Sequence, residues 1–329
     1  MLLFTSLILS GAAFIAALFL LIRLDHARRM SDYQCNLAIN LHARQMSAIL
    51  KSAPILPGIA RPGLVASVTT TRHRLGTVGM AVESMLLQTV RPESVNLYLS
   101  NDIDIGLLPE SLIRLQDMGL NIHFVPDVGP HTKLIYALER YSNHHVITFD
   151  DDFYAPPNSL ETLLRTAEQA PHAIVGNWVR QLRIGRDGKV RKAKEGRLMT
   201  PKTQVREIDA PSRPLRMGYD FFAYGTGGIL YPPGCMDARV FDIATFRALC
   251  PTEDDVWFKA MSLLRDTPVA ATNLGHSPKH HSLSGSQASA LRHDNYCGSV
   301  QKASSQIAAV FEHFDLVDRI AHLNRQQYP

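Results

Sequence analysis

Three consecutive aspartates, Asp150, Asp151 and Asp152, follow the β-branched run His145-Val146-Ile147-Thr148-Phe149. Adjacent carboxylates repel one another unless a cation or hydrogen-bond donors offset them. Oxygen-only ligands suit a hard divalent ion such as Mg²⁺ or Mn²⁺, and such an ion could act as a Lewis acid toward a diphosphate leaving group. The same triplet could instead be a solvated turn ahead of a helix that starts near Asn158. A second acidic cluster, Glu253, Asp254 and Asp255, opens the apolar stretch Val256-Trp257-Phe258. Acids at a helix start serve as caps and dipole partners, or one of them deprotonates a hydroxyl as a general base. His276, His280 and His281 follow a short apolar stretch. Any of them could ligate a metal, but their spacing does not form a paired metal motif.

These groups are set in a regular rhythm. Residues 65–71 form a β-branched run, followed by a helix-like stretch ending near Gln88. Strand patterns recur at 95–99, 121–125 and 145–149, with helix patterns at 107–118 and 133–141 between them. Four βα units in this order predict a mostly parallel, doubly wound α/β sheet with helices on both faces. Ligands of such sheets bind beyond the carboxyl ends of the strands, where Asp150–Asp152 fall. Gly225-Thr226-Gly227-Gly228 precedes Ile229-Leu230-Tyr231 and does not follow a strand as a dinucleotide fingerprint requires, which excludes that cofactor reading. The stripe Ile307, Val310, Phe311, Phe314, Val317 and Ile320 within 299–325 has helical spacing and is expected to pack on the preceding domain.

The 329-residue chain is 46 % apolar and 19 % charged, with a formal charge of +4, so it can bury a sizeable core. Its densest basic stretch, Arg180 to Arg197, alternates with glycine and lacks interleaved aromatics, which argues against nucleic-acid binding. Cys35, Cys235, Cys250 and Cys297 form no CxxC pair, so neither a zinc ribbon nor a disulfide framework is expected. The absence of any Asn-x-Ser/Thr sequon agrees with a cytosolic setting. No charge occurs from Leu2 to Ile22, a length that spans a bilayer core. No basic residue precedes this run, while Arg23, Arg28 and Arg29 follow it. The pattern predicts an uncleaved single-pass anchor in the cell (inner) membrane with the bulk of the chain cytoplasmic. The expected organisation is an anchor over 1–23, a juxtamembrane helix and Pro/Gly linker over 24–63, a catalytic domain over 64–285 and a helical segment over 286–329. In the juxtamembrane helix, Leu37, Ile39, Leu41, Met46 and Leu50 are the spaced apolar positions, and prolines and glycines from Pro54 to Gly63 are expected to deny helix and sheet.

The ordered set VASVTTTRHR, DVGPHTK, VITFDDDFYAPP, GTGGILYPPG and TEDDVW, over about residues 64 to 282, resembles bacterial glycosyltransferases of the GT-A fold, close to the family 2 type. The resemblance implies a nucleotide-sugar donor, a divalent metal bound through a DxD-like motif, and a carboxylate base in a later acidic motif. Asp150 and Asp152 match the two ends of DxD: the last on the metal, the earlier ones near the ribose or metal-bound water, with the middle Asp151 least defined. His276 could complete the metal ligation. Thr69, Thr71 and Arg72 end the first strand, where the family cradles the nucleotide, and Arg72 could reach a phosphate. Strand propensity alone would also account for the two threonines. Asp127 could accept a hydrogen bond from the nucleobase. Lys133, at a helix start after a Gly-Pro turn, offers a charge to phosphate. Gly227 and Gly228 would lie beside the donor sugar and acceptor, where close backbone approach needs glycine; a hairpin turn is the plain alternative. Asp255 aligns best with the family's base, and Asp254 remains possible because the motif carries an extra acid.

The expected function is therefore metal-dependent sugar transfer, inverting in stereochemistry, to a hydroxyl of a glycan or lipid-linked acceptor at the membrane, as in polysaccharide biosynthesis. A retaining, exostosin-like transferase and a non-catalytic nucleotide- or glycan-binding membrane scaffold are the alternatives. A two-metal phosphoesterase would need scattered His and Asp ligands.

Overall fold

A computed structural model of the chain describes residues 2–52, 56, 58–184, 190–192, 215–272, 282–283 and 302–327. Helix α1 (Leu2–Ser52) leads into strand β1 (Ile59–Thr69), and the next units are α2 (Leu75–Leu86), β2 (Val90–Ser100), α3 (Glu110–Leu115) and β3 (Leu120–Val125). Helix α4 (Thr132–Arg140), β4 (His145–Thr148), α5 (Ser159–Gln169) and β5 (Ile174–Gly176) complete the alternating part. Short strands follow: β6 (Val179–Ile184), β7 (Val190–Lys192), β8 (Arg216–Gly218), β9 (Phe221–Ala223) and β10 (Ile229–Tyr231). The described chain ends with α6 (Ile243–Leu249), α7 (Asp254–Leu264), β11 (Val269–Ala271), α8 (Lys302–His313) and α9 (Leu316–Gln327).

The eight-stranded sheet has the order β3-β2-β1-β4-β10-β5-β11-β8. β1 to β4 run parallel, as the alternating pattern predicts, and β5 and β11 pair parallel to each other. β10 is antiparallel to β4 and β5, and β8 is antiparallel to β11. The fold is thus mixed α/β with a mostly parallel sheet. Alternate side chains of β1 enter opposite faces: Leu64, Ala66 and Val68 pack with α2, α3 and α5, while Val65 packs with α4, α7, α8 and α9. A separate sheet of order β7-β6-β9 stands beside the larger one. The chain leaves β1 for β2 and β3 on one side and reaches β4 on the other. The carboxyl ends of β1 and β4 therefore flank a topological switch point.

Three boundaries differ from the expectation. Residues 59–63 of the expected linker are strand rather than coil. The register shifts between Arg61 and Val65, and Gly63 at φ 75° takes the left-handed conformation there, so a bulge absorbs Pro62 and Gly63. The helix expected over 107–118 is shortened to α3, because Pro109 lies just ahead of its first turn, and a 3-10 turn over Gln116–Met118 closes it at Gly119. The C-terminal stripe is split into α8 and α9 at Asp315, whose φ is 52°. Ile307, Val310, Phe311 and Ile320 are buried against the domain, and Phe314 lies 5.9 Å from the Trp257 ring.

α1 is continuous from Leu2 to Ser52, and its last turns join the core: Ala43 and Leu50 are buried, and Ile39 and Met46 pack beside them, while Leu37 and Leu41 face outward. The Ser47 hydroxyl donates to Glu83 Oε1 at 2.9 Å. No helix among the described residues is long and apolar enough to cross a membrane. The side chains of 1–18 and of Leu21, which make up most of the expected anchor, lie outside the described residues.

Candidate functional site

Phe149, fully buried, donates its amide to the Ser67 carbonyl at 3.2 Å, which extends β4 by one residue and turns the chain out of the sheet at Asp150. The turn is pinned from both sides: the Phe153 amide donates to the Asp150 carbonyl at 3.3 Å, and the Leu283 amide donates to the Asp152 carbonyl at 2.8 Å. β1 ends next to it, and its continuation supplies Thr70 and a 3-10 turn over Arg72–Arg74. Because β10 runs antiparallel to β4, the start of β10 lies at the carboxyl end of β4, which brings Gly225 and Thr226 to the same edge. The first turns of α4 and α7 contribute Lys133, Asp254 and Asp255.

These six segments converge on one charge network. Lys133 Nζ donates to Asp150 Oδ1 at 2.7 Å and lies 3.1 Å from Asp254 Oδ2. Thr226 Oγ1 donates to Asp150 Oδ2 at 3.0 Å. Thr70 Oγ1 and Arg74 Nη1 each donate to Asp151 at 2.5 Å, to Oδ2 and Oδ1 respectively, and the same guanidinium nitrogen is 3.8 Å from Asp152 Oδ2. The Gly225 amide donates to Asp255 Oδ2 at 3.1 Å. A Cβ on Gly225 would stand 2.8 Å from Lys133 Nζ and 3.0 Å from Asp150 Oδ1, so a larger residue would crowd that ion pair and shift it.

Five carboxylates, Asp150, Asp151, Asp152, Asp254 and Asp255, thus surround two cations, Lys133 and Arg74. Burial opposes the charge on Lys133, but Asp150, Asp254 and Asp255 outweigh it and hold the ammonium well above its ordinary range. Burial raises the Asp150 carboxyl, yet Lys133, Thr226 and Arg74 together keep it below its usual value. For Asp151 burial prevails over Arg74 and Thr70, and the carboxyl is raised. Burial also raises Asp254, against the pull of Lys133 and with the push of Asp150. Burial and the neighbouring Asp254 drive Asp255 up to about 8. Asp255 is half-buried by area, but its Oδ1 is enclosed and has no hydrogen-bond partner. A carboxyl with a raised affinity for protons therefore lies in the same network as the Lys133 ammonium.

The remaining sequence candidates occupy other places. Thr69 Oγ1 donates to the Tyr98 carbonyl at 2.8 Å, a strand-to-strand role. Thr71 and Arg72 are exposed. Asp127 closes its own turn, accepting from the Gly129 amide at 2.7 Å. Gly227 and Gly228 have φ of 105° and 94°, as a tight turn requires, and the Gly227 carbonyl accepts from Asn177 Nδ2 at 2.8 Å. His276, His280 and His281 lie outside the described residues. Thr70 and Arg74 carry no role of their own in the sequence reading, and Gly225 and Thr226 enter it only as part of the Gly225–Gly228 stretch. The loop rule that pointed to Arg72 covers Arg74 as well. Two residues along a 3-10 turn rotate the side chain by about 240°, which separates an exposed arginine from one at the carboxylates.

The donor set can be tested against the divalent ion expected from sequence. Both oxygens of Asp150 are engaged, by Lys133 and Thr226, and both oxygens of Asp151, by Arg74 and Thr70. Among the described residues no group of three or more His, Cys, Asp or Glu side chains is placed to hold a metal ion. Asp150 and Asp151 as arranged therefore offer no oxygen that is not already engaged, while His276, the expected third ligand, lies outside the described residues.

No family model matches the chain. No curated protein matches it. Among solved structures, the chain is similar to the crystal structure of S. aureus TarS 1-349, with a TM-score of 0.38 and 11 % identity over 63 % of this chain. The alignment spans 57 % of that chain, less than two thirds of its length.

Proposed function

We propose that the chain is a glycosyltransferase that moves a sugar from a nucleoside-diphosphate donor to a hydroxyl of a glycan or lipid-linked acceptor, with inversion. The observation that carries this reading is Asp255, a carboxyl pushed up to about 8 at the switch point of a mostly parallel sheet and within the field of Lys133, in a network that also holds Arg74 on Asp151. In the reaction, the acceptor oxygen attacks the anomeric carbon from the face opposite the diphosphate. The new glycosidic bond forms as the bond from that carbon to the phosphate oxygen breaks. Asp255 takes the hydroxyl proton, and the bonding electrons leave with the diphosphate, whose growing charge Lys133 and Arg74 offset.

Membrane attachment through Leu2–Ile22, with the domain on the cytoplasmic face, is part of the same proposal and rests on the sequence alone. The test is a panel of UDP-, GDP-, CMP- and dTDP-sugars offered to the full chain, followed by NMR of the product anomer for the best donor. Binding of one donor, an inverted product, and loss of turnover but not of binding in Asp255→Asn are expected. A retained anomeric configuration would remove Asp255 as base. A folded chain that binds none of the donors would leave the scaffold reading in its place.

A further inference from the structure

We infer that Lys133 is the resident cation of this site, taking the place of the divalent ion expected from sequence, so that a nucleoside diphosphate binds without metal. The inference rests on the donor reading above. Three independent features make the lysine a built part of the site. First, its backbone is fixed: Ser67 Oγ donates a short hydrogen bond to the Lys133 carbonyl, tying the start of α4 to β1. The buried His131 ring, stacked 4.1 Å from Phe246, holds the turn just before it. Second, its side chain is only 8 % exposed and its ammonium sits between carboxylates from two different elements, Asp150 after β4 and Asp254 at the head of α7. Third, the backbone of Gly225 closes over it, where a Cβ would stand 2.8 Å from Nζ.

A Mg²⁺ ion bridging the same two carboxylates would need oxygens at about 2.0–2.1 Å. The gaps here, 2.7 and 3.1 Å, are those of an ammonium, and a metal could enter only by expelling a buried charged lysine. Arg74 serves the neighbouring carboxylates in the same way. An ammonium has three donors. Asp150 takes one and Asp254 lies against a second, so a phosphate oxygen would have to reach the third from the side that Gly225 does not close. Of the pair, Asp150 is the more open side chain, 26 % exposed against 8 % for Lys133.

Calorimetry of the full chain with UDP, GDP, CDP and dTDP, each in EDTA and in excess Mn²⁺, tests this directly. The preferred nucleotide should bind in EDTA within about threefold of its affinity in Mn²⁺, a difference under 1 kcal/mol. Lys133→Met should weaken binding in EDTA by about tenfold or more, the loss expected for one charge-assisted hydrogen bond. A thermal melt of Lys133→Met that matches the wild type separates loss of the cation from misfolding of the variant. Wild-type binding seen only with Mn²⁺, or unweakened binding by folded Lys133→Met, would overturn the inference while leaving the donor reading intact. No binding of any nucleotide in either buffer would remove the donor reading and this inference with it.

Discussion

Asp255 and Lys259 are one helical turn apart on α7 and line the same small cavity of about 20 Å³ with Tyr231 and Phe258, and burial there favours the neutral form of both, moving their proton affinities in opposite directions. Burial pushes the Lys259 ammonium down to about 7, partly opposed by Asp220, and its Nζ has no hydrogen-bond partner. Asp255 is pushed up to about 8. Linkage fixes the sign of each effect. Between about 7 and 10.5 the unfolded chain holds more protons at Lys259 than the folded one, so the cost of burying this charge is full below pH 7 and fades as pH rises. Lys259→Met should therefore raise stability by on the order of 2 kcal/mol at pH 6. The gain should shrink toward pH 10, as read from denaturant melts at both pH values. An equal gain at both would show that packing, not charge, sets the difference. For Asp255 the folded carboxyl binds protons more tightly than the unfolded one between about 4 and 8. Its ionisation lowers stability as pH rises through that window. Asp255→Asn, which keeps an oxygen for the Gly225 amide, should be more stable than wild type at pH 9 and close to it at pH 4. The same carboxyl must be ionised to act as base, so turnover should rise with pH to a plateau above about 8. Asp255→Asn should lose about 10²–10⁴-fold in kcat. A flat pH–rate profile between 6 and 9 would remove Asp255 from the proton transfer.

At the scale of elements, the residues that could be read from sequence are those at the ends of strands and starts of helices with regular periodicity. Asp150, Lys133, Asp254 and Asp255 were found because β4, α4 and α7 obey simple patterns and the carboxyl-end rule states where to look. Gly225 and Thr226 come to the site because β10 inserts antiparallel between β4 and β5, a pairing across many residues that local pattern does not encode. The beginning of β1 was hidden for a related reason: Pro62 and Gly63 read as a break, and only pairing with β2 shows that the strand bulges and continues. Gly58 marks where that strand enters. Its φ is 74°, and a Cβ there would lie 2.4 Å from both the Gln88 and the Thr89 carbonyl oxygens, backbone atoms that cannot swing aside. Gly58→Ala should cost about 2–4 kcal/mol from left-handed strain and the forced shift of the 88–89 backbone. The measurement is the unfolding midpoint in urea. An unchanged midpoint would mean that the β1 entry is not held as described, since no site residue touches Gly58.

For the whole molecule, the question is where the folding unit begins. The sequence places a boundary at residue 64, between a linker and the catalytic domain, but the contacts run across it. Ile59, Ala60 and Arg61 pair with Val90, Arg91 and Pro92, and α1 covers the outer face of α2 with Ala43 and Leu50. Glu83, nearly fully buried on α2, is raised by burial and eased by the Ser47 hydroxyl and Arg114. Without α1 it would lose that hydroxyl partner, and the core beneath would gain exposed apolar surface. Each large apolar side chain uncovered removes about 1.5–3 kcal/mol, a large part of the 5–15 kcal/mol that a domain has. A chain starting at residue 24 keeps every one of these contacts and lacks only the apolar run from Leu2 to Ile22 and Arg23. It should melt like the full chain and partition to the soluble fraction on cell lysis, whereas a chain starting at residue 64 should melt lower or bind a hydrophobic dye. Membrane retention of the 24–329 chain would move the attachment from Leu2–Ile22 to another surface. Equal melting of the 64–329 and 24–329 chains would show that α1 is only a tether. The expected result makes α1 one continuous helix, apolar at its start and built into the core at its end.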